Sequence, residues 1–551
     1  MSSPTIGSFL FDYLHSKGVT HAFGIPGDFA LPTFRWLEKS PIKLITLTHE
    51  PSVGFAADGY ARVRNGIGVA VVTYCVGGLN MLNSVACAYA EKSPLLVISG
   101  GPSPNDRKTD PLLHHKVRTF DTQRRIYEEV TCANTVLLDV ETAAEEIMRV
   151  IDAVELHCRP GYIEIPYDLV DLPITLPIRK NTPSPVSDAD NLAACVEDAL
   201  VQINAAKQPV IIADVELHRH NLTDLAVAFA EKANIPIAST LLSKSVISEQ
   251  NPLYIGVYSG GLSEKAVQDY VEQSDCVIML GAFITDVFLG MNSAQLDRKQ
   301  AIVMTTEKSR VGLRSYDNVQ FRDFLEAINQ APLTPKPDRA TPRPAPVPAP
   351  LADHERNTPL SIESFFRILG LHLPADGTLV CDTGDALLGA IGLRTGMRNT
   401  FLSDAYYLSM GFAVPASIGA MAANPDSRTF CVVGDGAFQM TGTELSTTAK
   451  YNLAPIVFVL NNDGYGTQRH ILDGAFNIIT MWDYAKIPEL IRYGKGCRVS
   501  TAGECEAAIK AALADNTLHV IEVTIPRDDC SASLRRLGEE LGKLRDIEKR
   551  S

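Results

Sequence analysis

The sequence predicts an α/β protein built from three doubly wound, parallel-sheet domains. Three observations carry that expectation. Short apolar runs alternate with amphipathic or alanine-rich segments of helical length along most of the 551 residues, which is the rhythm of βαβ units. That length exceeds what one hydrophobic core sustains and suits three or four domains. A proline-rich stretch at 332–350 cannot form a packed element and reads as an extended linker before the last block.

Taken in order, residues 6–17 place Ile6, Phe9, Leu10, Tyr13 and Leu14 on one helical face, and Gly18 stops the helix. Residues 21–25, 44–47, 69–74, 95–98 and 162–165 read as strands, with helices at 54–63 and 81–90 between them. A second block begins near Asp188, with strands at 210–213, 235–238 and Cys276–Leu280 and a helix at 222–232. No G-x-G-x-x-G opens a helix there, so a dinucleotide site has no support. The third block, from about Ser361, repeats the pattern at 379–382, 429–433, 455–461 and 519–525, and closes on a charged amphipathic helix at 530–551. The expected organisation is 1–180, 188–331, a linker at 332–358, and 359–551.

Composition narrows the class. A hydrophobic fraction of 46% and a charged fraction of 21% are those of an ordinary soluble protein. The net charge of -14 argues against nucleic acid or an anionic membrane as a partner. No apolar run reaches the ~18 residues of a bilayer span, and Met1-Ser2-Ser3-Pro4 lacks the regions of a signal peptide. Eleven cysteines without a Cys-x-x-Cys pair indicate neither a disulfide framework nor a zinc site. The expectation is a cytoplasmic protein.

The pattern richest in chemistry is Gly434-Asp435-Gly436 followed by Asn461-Asn462. Each end lies where an apolar strand runs out, so Asp435 and Asn462 reach the same edge of the sheet. A carboxylate and an amide oxygen together are hard ligands suited to Mg2+, which is commonly shared with phosphates. Residues 443–451 read as a helix whose amino end follows the Gly-Asp-Gly turn, where free N–H groups favour phosphate oxygens. This context suits a diphosphate held through Mg2+, with Gly436 and Ala437 in the turn against it.

Two further sets stand in the first block. Glu50 follows the strand 44–47 and precedes the small-residue run Gly54-Phe55-Ala56-Ala57-Asp58-Gly59, at the ligand-binding edge of a doubly wound sheet. Read alone, such a glutamate is more often simply solvated. His114 and His115 lie in a loop after the strand 95–98. Adjacent loop histidines are mostly surface residues, and metal ligation lacks a third ligand spaced nearby. Imidazole nevertheless suits proton transfer near neutral pH.

Together, Gly24-Ile25-Pro26-Gly27-Asp28, Thr48-His49-Glu50 and the run from Gly434 to Asn462 resemble the thiamine-diphosphate-dependent 2-keto acid decarboxylases. The resemblance extends from Phe23 to about Pro526, and segments 24–31, 50–61, 112–115 and 434–442 look most similar to phenylpyruvate-type members. It implies pyrimidine-binding, middle and diphosphate-binding domains, with thiamine diphosphate and Mg2+ as cofactors. Glu50 would bond the cofactor's pyrimidine, the Leu408 carbonyl would receive its exocyclic amine, and Met410 would wedge it into a bent shape. Asp435, Asn462 and the Gly464 carbonyl would hold Mg2+. Asp28, His114 and His115 would handle protons. Family members complete each site from two subunits, implying at least a homodimer; many are homotetramers. The implied activity is non-oxidative decarboxylation of a 2-keto acid, preferably phenylpyruvate or indolepyruvate, to an aldehyde and carbon dioxide.

One position departs from the pattern. Where pyruvate and indolepyruvate decarboxylases place a proton-transferring glutamate after the Asn-Asn pair, this chain has Gln468, which does not titrate and cannot be a general acid. Phenylpyruvate-type members also lack that glutamate. Asp286 matches an aspartate of several members and could supply a carboxylate, or could equally cap its own loop. Slow protonation would open a carboligase alternative, forming 2-hydroxyketones or acetolactate-like products; the histidine pair favours decarboxylation. A non-catalytic cofactor-binding subunit is disfavoured because Glu50, Asp435 and Asn462 are all present.

Overall fold

In the first and third sheets, apolar strands are paired in parallel and covered by helices on both faces. The computed structural model describes residues 3–176, 185–297, 299–344 and 348–548. The first sheet runs, edge to edge, Lys43–Thr46, His21–Gly24, Gly68–Val72, Leu95–Gly101, Gly161–Pro166, Ala133–Val136, all parallel. Its central strands are buried throughout. Val69 and Val71 face the core built with Ile6–Ser16 and Ala143–His157, while Ala70 and Val72 face the one built with Glu50–Arg64 and Leu82–Ala90. This two-sided burial is why such strands read as continuous apolar runs.

The third sheet runs Phe401–Leu402, Thr378–Cys381, Thr429–Gly434, Ile456–Asn461, His519–Thr524, Lys495–Val499, again all parallel. Numbered along the chain within each sheet, the first and third share the order 2-1-3-4-6-5. The middle sheet differs. Tyr254–Val257, Ile237–Ser239, Pro209–Ala213, Cys276–Leu280 and Ile302–Met304 are parallel, and an antiparallel hairpin of Ser309–Val311 and Arg314–Tyr316 closes its edge.

The expected strands lie within a residue or two of those observed, except that the strand expected at 95–98 runs on to Gly101. Several of those unforeseen, such as Ala133–Val136 and Lys495–Val499, lie at sheet edges, where one side meets solvent and the sequence need not be apolar, whereas the short strands Ile302–Met304 and Ser309–Val311 lie inside the middle sheet. The helix expected at 81–90 is found as Leu82–Ala90, preceded by a short helix, Val76–Asn80, that was not expected. The described part of the linker carries no strand or α-helix, only the 3₁₀ turn Asp353–Glu355, and it is tied down: the Lys336 ammonium donates to the Asn204 and Ala206 carbonyls, and Leu351 is buried.

The first and third domains meet through two small-residue helices, Glu50–Arg64 and Ala413–Ala423. A Cβ on Gly59 would stand 2.4 Å from the Ala416 carbonyl oxygen, and one on Gly419 1.9 Å from that of Ala56. Only glycine permits this approach of backbones.

Candidate functional site

The half-site on the third domain is built largely from backbone. Thr429–Gly434 delivers Gly434 in extended conformation, and Asp435 then opens the helix Asp435–Thr441. The helix after the Gly-Asp-Gly run therefore begins at the aspartate itself and not at 443, as expected from sequence. Thr443 lies in the 3₁₀ turn Gly442–Glu444, and Leu445–Tyr451 is a separate helix. Paired glycines suggested a turn, but an acidic residue at a helix start is favourable and Gly434 serves as the extended cap.

Asp435 is 1% exposed. Its Oδ1 accepts the Gly436 N–H (2.7 Å) and its Oδ2 the Gly464 N–H (2.9 Å). Burial pushes the carboxyl up to about 6, against the opposing pull of those N–H groups. Gly464 has φ +119°, and a Cβ there would fall 2.2 Å from the Asn477 carbonyl oxygen, so this tight passage requires glycine. Arg469 donates to the Asn462 and Asp463 carbonyls and pins the loop. Above Gly434 nothing lies within 4 Å of where a Cβ would be. A buried carboxylate with no ion pair among the described residues, an adjacent amide and free space at a helix start fit Mg2+ with a diphosphate.

Beside it runs the loop Leu408-Ser409-Met410-Gly411. Leu408 has φ +58°, a conformation that costs a leucine about 1–2 kcal/mol. The loop is held from below. Asp382, fully buried, accepts the N–H groups of Gly411 (3.0 Å) and Ala413 (2.8 Å), and the Thr441 hydroxyl donates to the Gly411 carbonyl (2.8 Å). Leu408 and Met410 are left facing outward.

The half-site on the first domain is made of titratable side chains. Glu50 is the first residue of the helix Glu50–Arg64, with Pro51 after it, so the helix starts four residues before the expected 54. Its carboxylate accepts from the Asn80 amide (2.7 Å). Asp28 opens a 3₁₀ turn and bonds the His114 ring at Nε2, while His115 Nε2 lies 3.9 Å from its other oxygen. Partial burial raises the Asp28 carboxyl, but the His114 hydrogen bond and the Phe29 N–H outweigh it and hold it below the usual range. Phe29 packs beneath both rings, at 5.0 Å from His114 and 5.9 Å from His115. Asp28, His114 and His115 bring donor atoms within 4.8 Å of one another, so the fold supplies the third group that the neighbouring sequence does not.

Two expected residues stand apart. Gln468 lies exposed on the helix Gly466–Ile471, and the Asp286 carboxylate accepts the N–H of its neighbour Val287 (2.9 Å). Neither bonds another candidate. Asn80, Asp382 and Glu444 were not expected from the sequence; their partners are too distant along the chain to be inferred from local pattern.

A buried carboxylate at a helix start on one domain and a glutamate with an Asp–His–His cluster on another are an arrangement that fits a thiamine-diphosphate enzyme. Models of that class match the chain in three places: the N-terminal thiamine pyrophosphate binding domain over residues 4–124, the central domain over 196–323 and the C-terminal binding domain over 382–523. The chain is 35% identical over 529 residues to an indole-3-pyruvate decarboxylase of Azospirillum brasilense, covering 95% of this chain and 96% of that one. It is 31% identical over 532 residues to an alpha-keto-acid decarboxylase of Mycolicibacterium paratuberculosis (95% and 94% covered). It is also 31% identical over 559 residues to pyruvate decarboxylase 3 of Arabidopsis thaliana (98% and 94% covered). The chain belongs to the thiamine-diphosphate-dependent 2-keto acid decarboxylases.

Proposed function

We propose that this enzyme is a carboxy-lyase converting an aromatic 2-keto acid, phenylpyruvate- or indolepyruvate-like, to an aldehyde and carbon dioxide. The observation that carries the reading is the Asp28–His114–His115 cluster, set on the same domain as Glu50. Such a cluster can hold and move a proton beside the substrate.

Asp435, Asn462 and the Gly464 carbonyl hold Mg2+, and Gly436 and Ala437 at the helix start face the diphosphate. The Leu408 carbonyl, Met410 and Glu50 would hold the cofactor's pyrimidine half, Leu408 and Glu50 as polar partners and Met410 as an apolar support. The bound cofactor supplies the electron sink for loss of carbon dioxide. His114 and His115, oriented by Asp28 and Phe29, deliver the proton that releases aldehyde. Gln468 can donate and accept hydrogen bonds but does not titrate, and Asp286 would serve as a second carboxylate if its loop turned toward the site.

Glu50 and Asp435 serve one cofactor from two chains, making a homodimer the minimal unit. Exposed apolar side chains support this: Met410, Met440 and Phe476 on the third domain, and Leu31, Val76 and Leu112 on the first. The domains are 1–180, 188–331 and 359–551, joined by 332–358. Among the described residues no helix is long and apolar enough to cross a membrane. Eleven unpaired cysteines support a cytoplasmic location.

Product analysis tests the reading. With thiamine diphosphate and Mg2+, aromatic 2-keto acids are expected to yield one aldehyde per carbon dioxide, faster than pyruvate does. A hydroxyketone in place of aldehyde would favour the carboligase reading that Gln468 keeps open.

A further inference from the structure

The approach to Glu50 is fixed from outside its own domain. Glu444, fully buried, accepts the Thr48 N–H at Oε1 (3.0 Å) and the Thr48 hydroxyl at Oε2 (2.9 Å), while the Thr447 hydroxyl also donates to Oε1 (2.7 Å). Two residues earlier, at the end of the strand Lys43–Thr46, the Thr46 N–H donates to the Tyr451 hydroxyl (2.8 Å). Thr46 and Thr48 lead directly into Glu50, whereas Glu444, Thr447 and Tyr451 belong to the third domain of the same chain. Among the described residues, no cation lies within ion-pair distance of Glu444, so neutral donors alone satisfy its carboxylate. Burying a carboxylate without a counter-ion is expensive unless every oxygen is bonded, and here two of the three donors come from Thr48.

Glu444 also ends the 3₁₀ turn that follows Asp435–Thr441. It therefore stands between two functional groups of one chain: the carboxylate that anchors the cofactor and the segment that aims Glu50.

We propose that Glu444 is a positioning residue for Glu50, acting through Thr48. Because Glu50 and Asp435 of one chain serve different sites, a link that rests on the two-chain reading above, Glu444 mechanically joins the anchor of one site to the proton-handling glutamate of the other. Loss of the contact frees residues 46–49 and lets Glu50 drift. A displacement of about 1 Å in a reacting group costs on the order of 100-fold in rate.

Purified homodimers give the first test. Glu444→Ala and Thr48→Ala are expected to bind thiamine diphosphate with Mg2+, followed by quenching of tryptophan fluorescence, within about threefold of wild type while kcat falls about 10- to 100-fold. Glu444→Gln, which keeps an oxygen acceptor, restores most of the rate. Cofactor binding lost in parallel with kcat, or kcat unchanged in both variants, overturns the proposal. Thr48→Ala breaks the contact from the other side if Glu444→Ala fails to fold.

Mixed dimers of differently tagged chains test the link between sites. A Glu444→Ala chain paired with an Asp435→Ala chain should recover about half of wild-type activity, because one site then has both an anchor and a well-aimed Glu50. Paired with a Glu50→Ala chain it should recover nothing. The reverse pattern would show that Glu444 serves the diphosphate half and would overturn the proposal. A Glu50→Ala chain mixed with an Asp435→Ala chain is the control for the two-chain site. If that pair stays inactive, the shared-site reading fails, and the homodimer measurements still decide whether Glu444 positions Glu50.

Discussion

The first and third domains carry the same strand order and opposite chemistries at their sheet edges. On the third, a single carboxylate is sunk to 1% exposure and gripped by two backbone N–H groups. On the first, Asp28 and His114 keep about half of their side-chain surface exposed and hold each other by side-chain contact. The contrast shows how one scaffold divides the labour. An anchor must not move or exchange protons, so backbone fixes it inside the protein. A proton carrier must reach solvent or substrate, so it sits on loops and keeps its side chain free.

Four experiments would break or sharpen that contrast, from the largest expected effect to the smallest. Asp435→Ala removes the anchor, and cofactor binding and turnover should both fall by about 1,000-fold or more, since loss of a charged ligand leaves the diphosphate's metal short of an oxygen. Calorimetric titration with thiamine diphosphate and Mg2+ would expose retained affinity and so refute the assignment. Glu50→Ala should behave differently: binding weakens modestly while kcat drops by about 100- to 10,000-fold. A rate near wild type would remove Glu50 from the chemistry. Gln468→Glu adds a titratable acid and should shift product toward aldehyde by severalfold if proton delivery limits partition; an unchanged ratio of aldehyde to ligated product counts against this.

The smallest effect concerns pH. The Asp28 carboxyl is held below its usual range in the folded protein, with His114 the chief lowering partner. Its contribution to stability is therefore complete above the unfolded value near pH ~4 and is lost as pH falls through the lower folded value. Thermal melts of wild type and Asp28→Asn should differ by a constant amount above pH ~5 and converge on acidification. A gap that instead widens in acid would mean that the His114 contact does not favour the ionised form.

The same contrast governs what the sequence revealed. The half proposed as the anchor is written locally, and its strands ending at Gly434 and Asn461 were legible from the sequence. Only the start of its helix was misplaced, because glycines on both sides of Asp435 mimic a turn. The proton-handling half was harder. Asp28 and His114 are separated by 86 positions, and Glu50 and Asn80 by 30; no periodicity marks either pair, and their grouping came from family resemblance. Thr48 and Glu444, 396 positions apart, could be paired only in three dimensions. Of the fold, the buried parallel strands were readable from their apolar runs, whereas polar edges such as Lys495–Val499 owe their conformation to a neighbouring strand and carry little signal of their own.

The crossing of Glu50–Arg64 over Ala413–Ala423 has a kinematic consequence. With glycine facing a carbonyl at both contact points, neither helix can roll or slide over the other without steric collision. The first and third domains of one chain must then travel as a single block. Opening of the site then falls to displacement of short loops such as that bearing His114 or, in the homodimer proposed above, to the seam between copies. The crossing makes the paired first and third domains of one chain its rigid part.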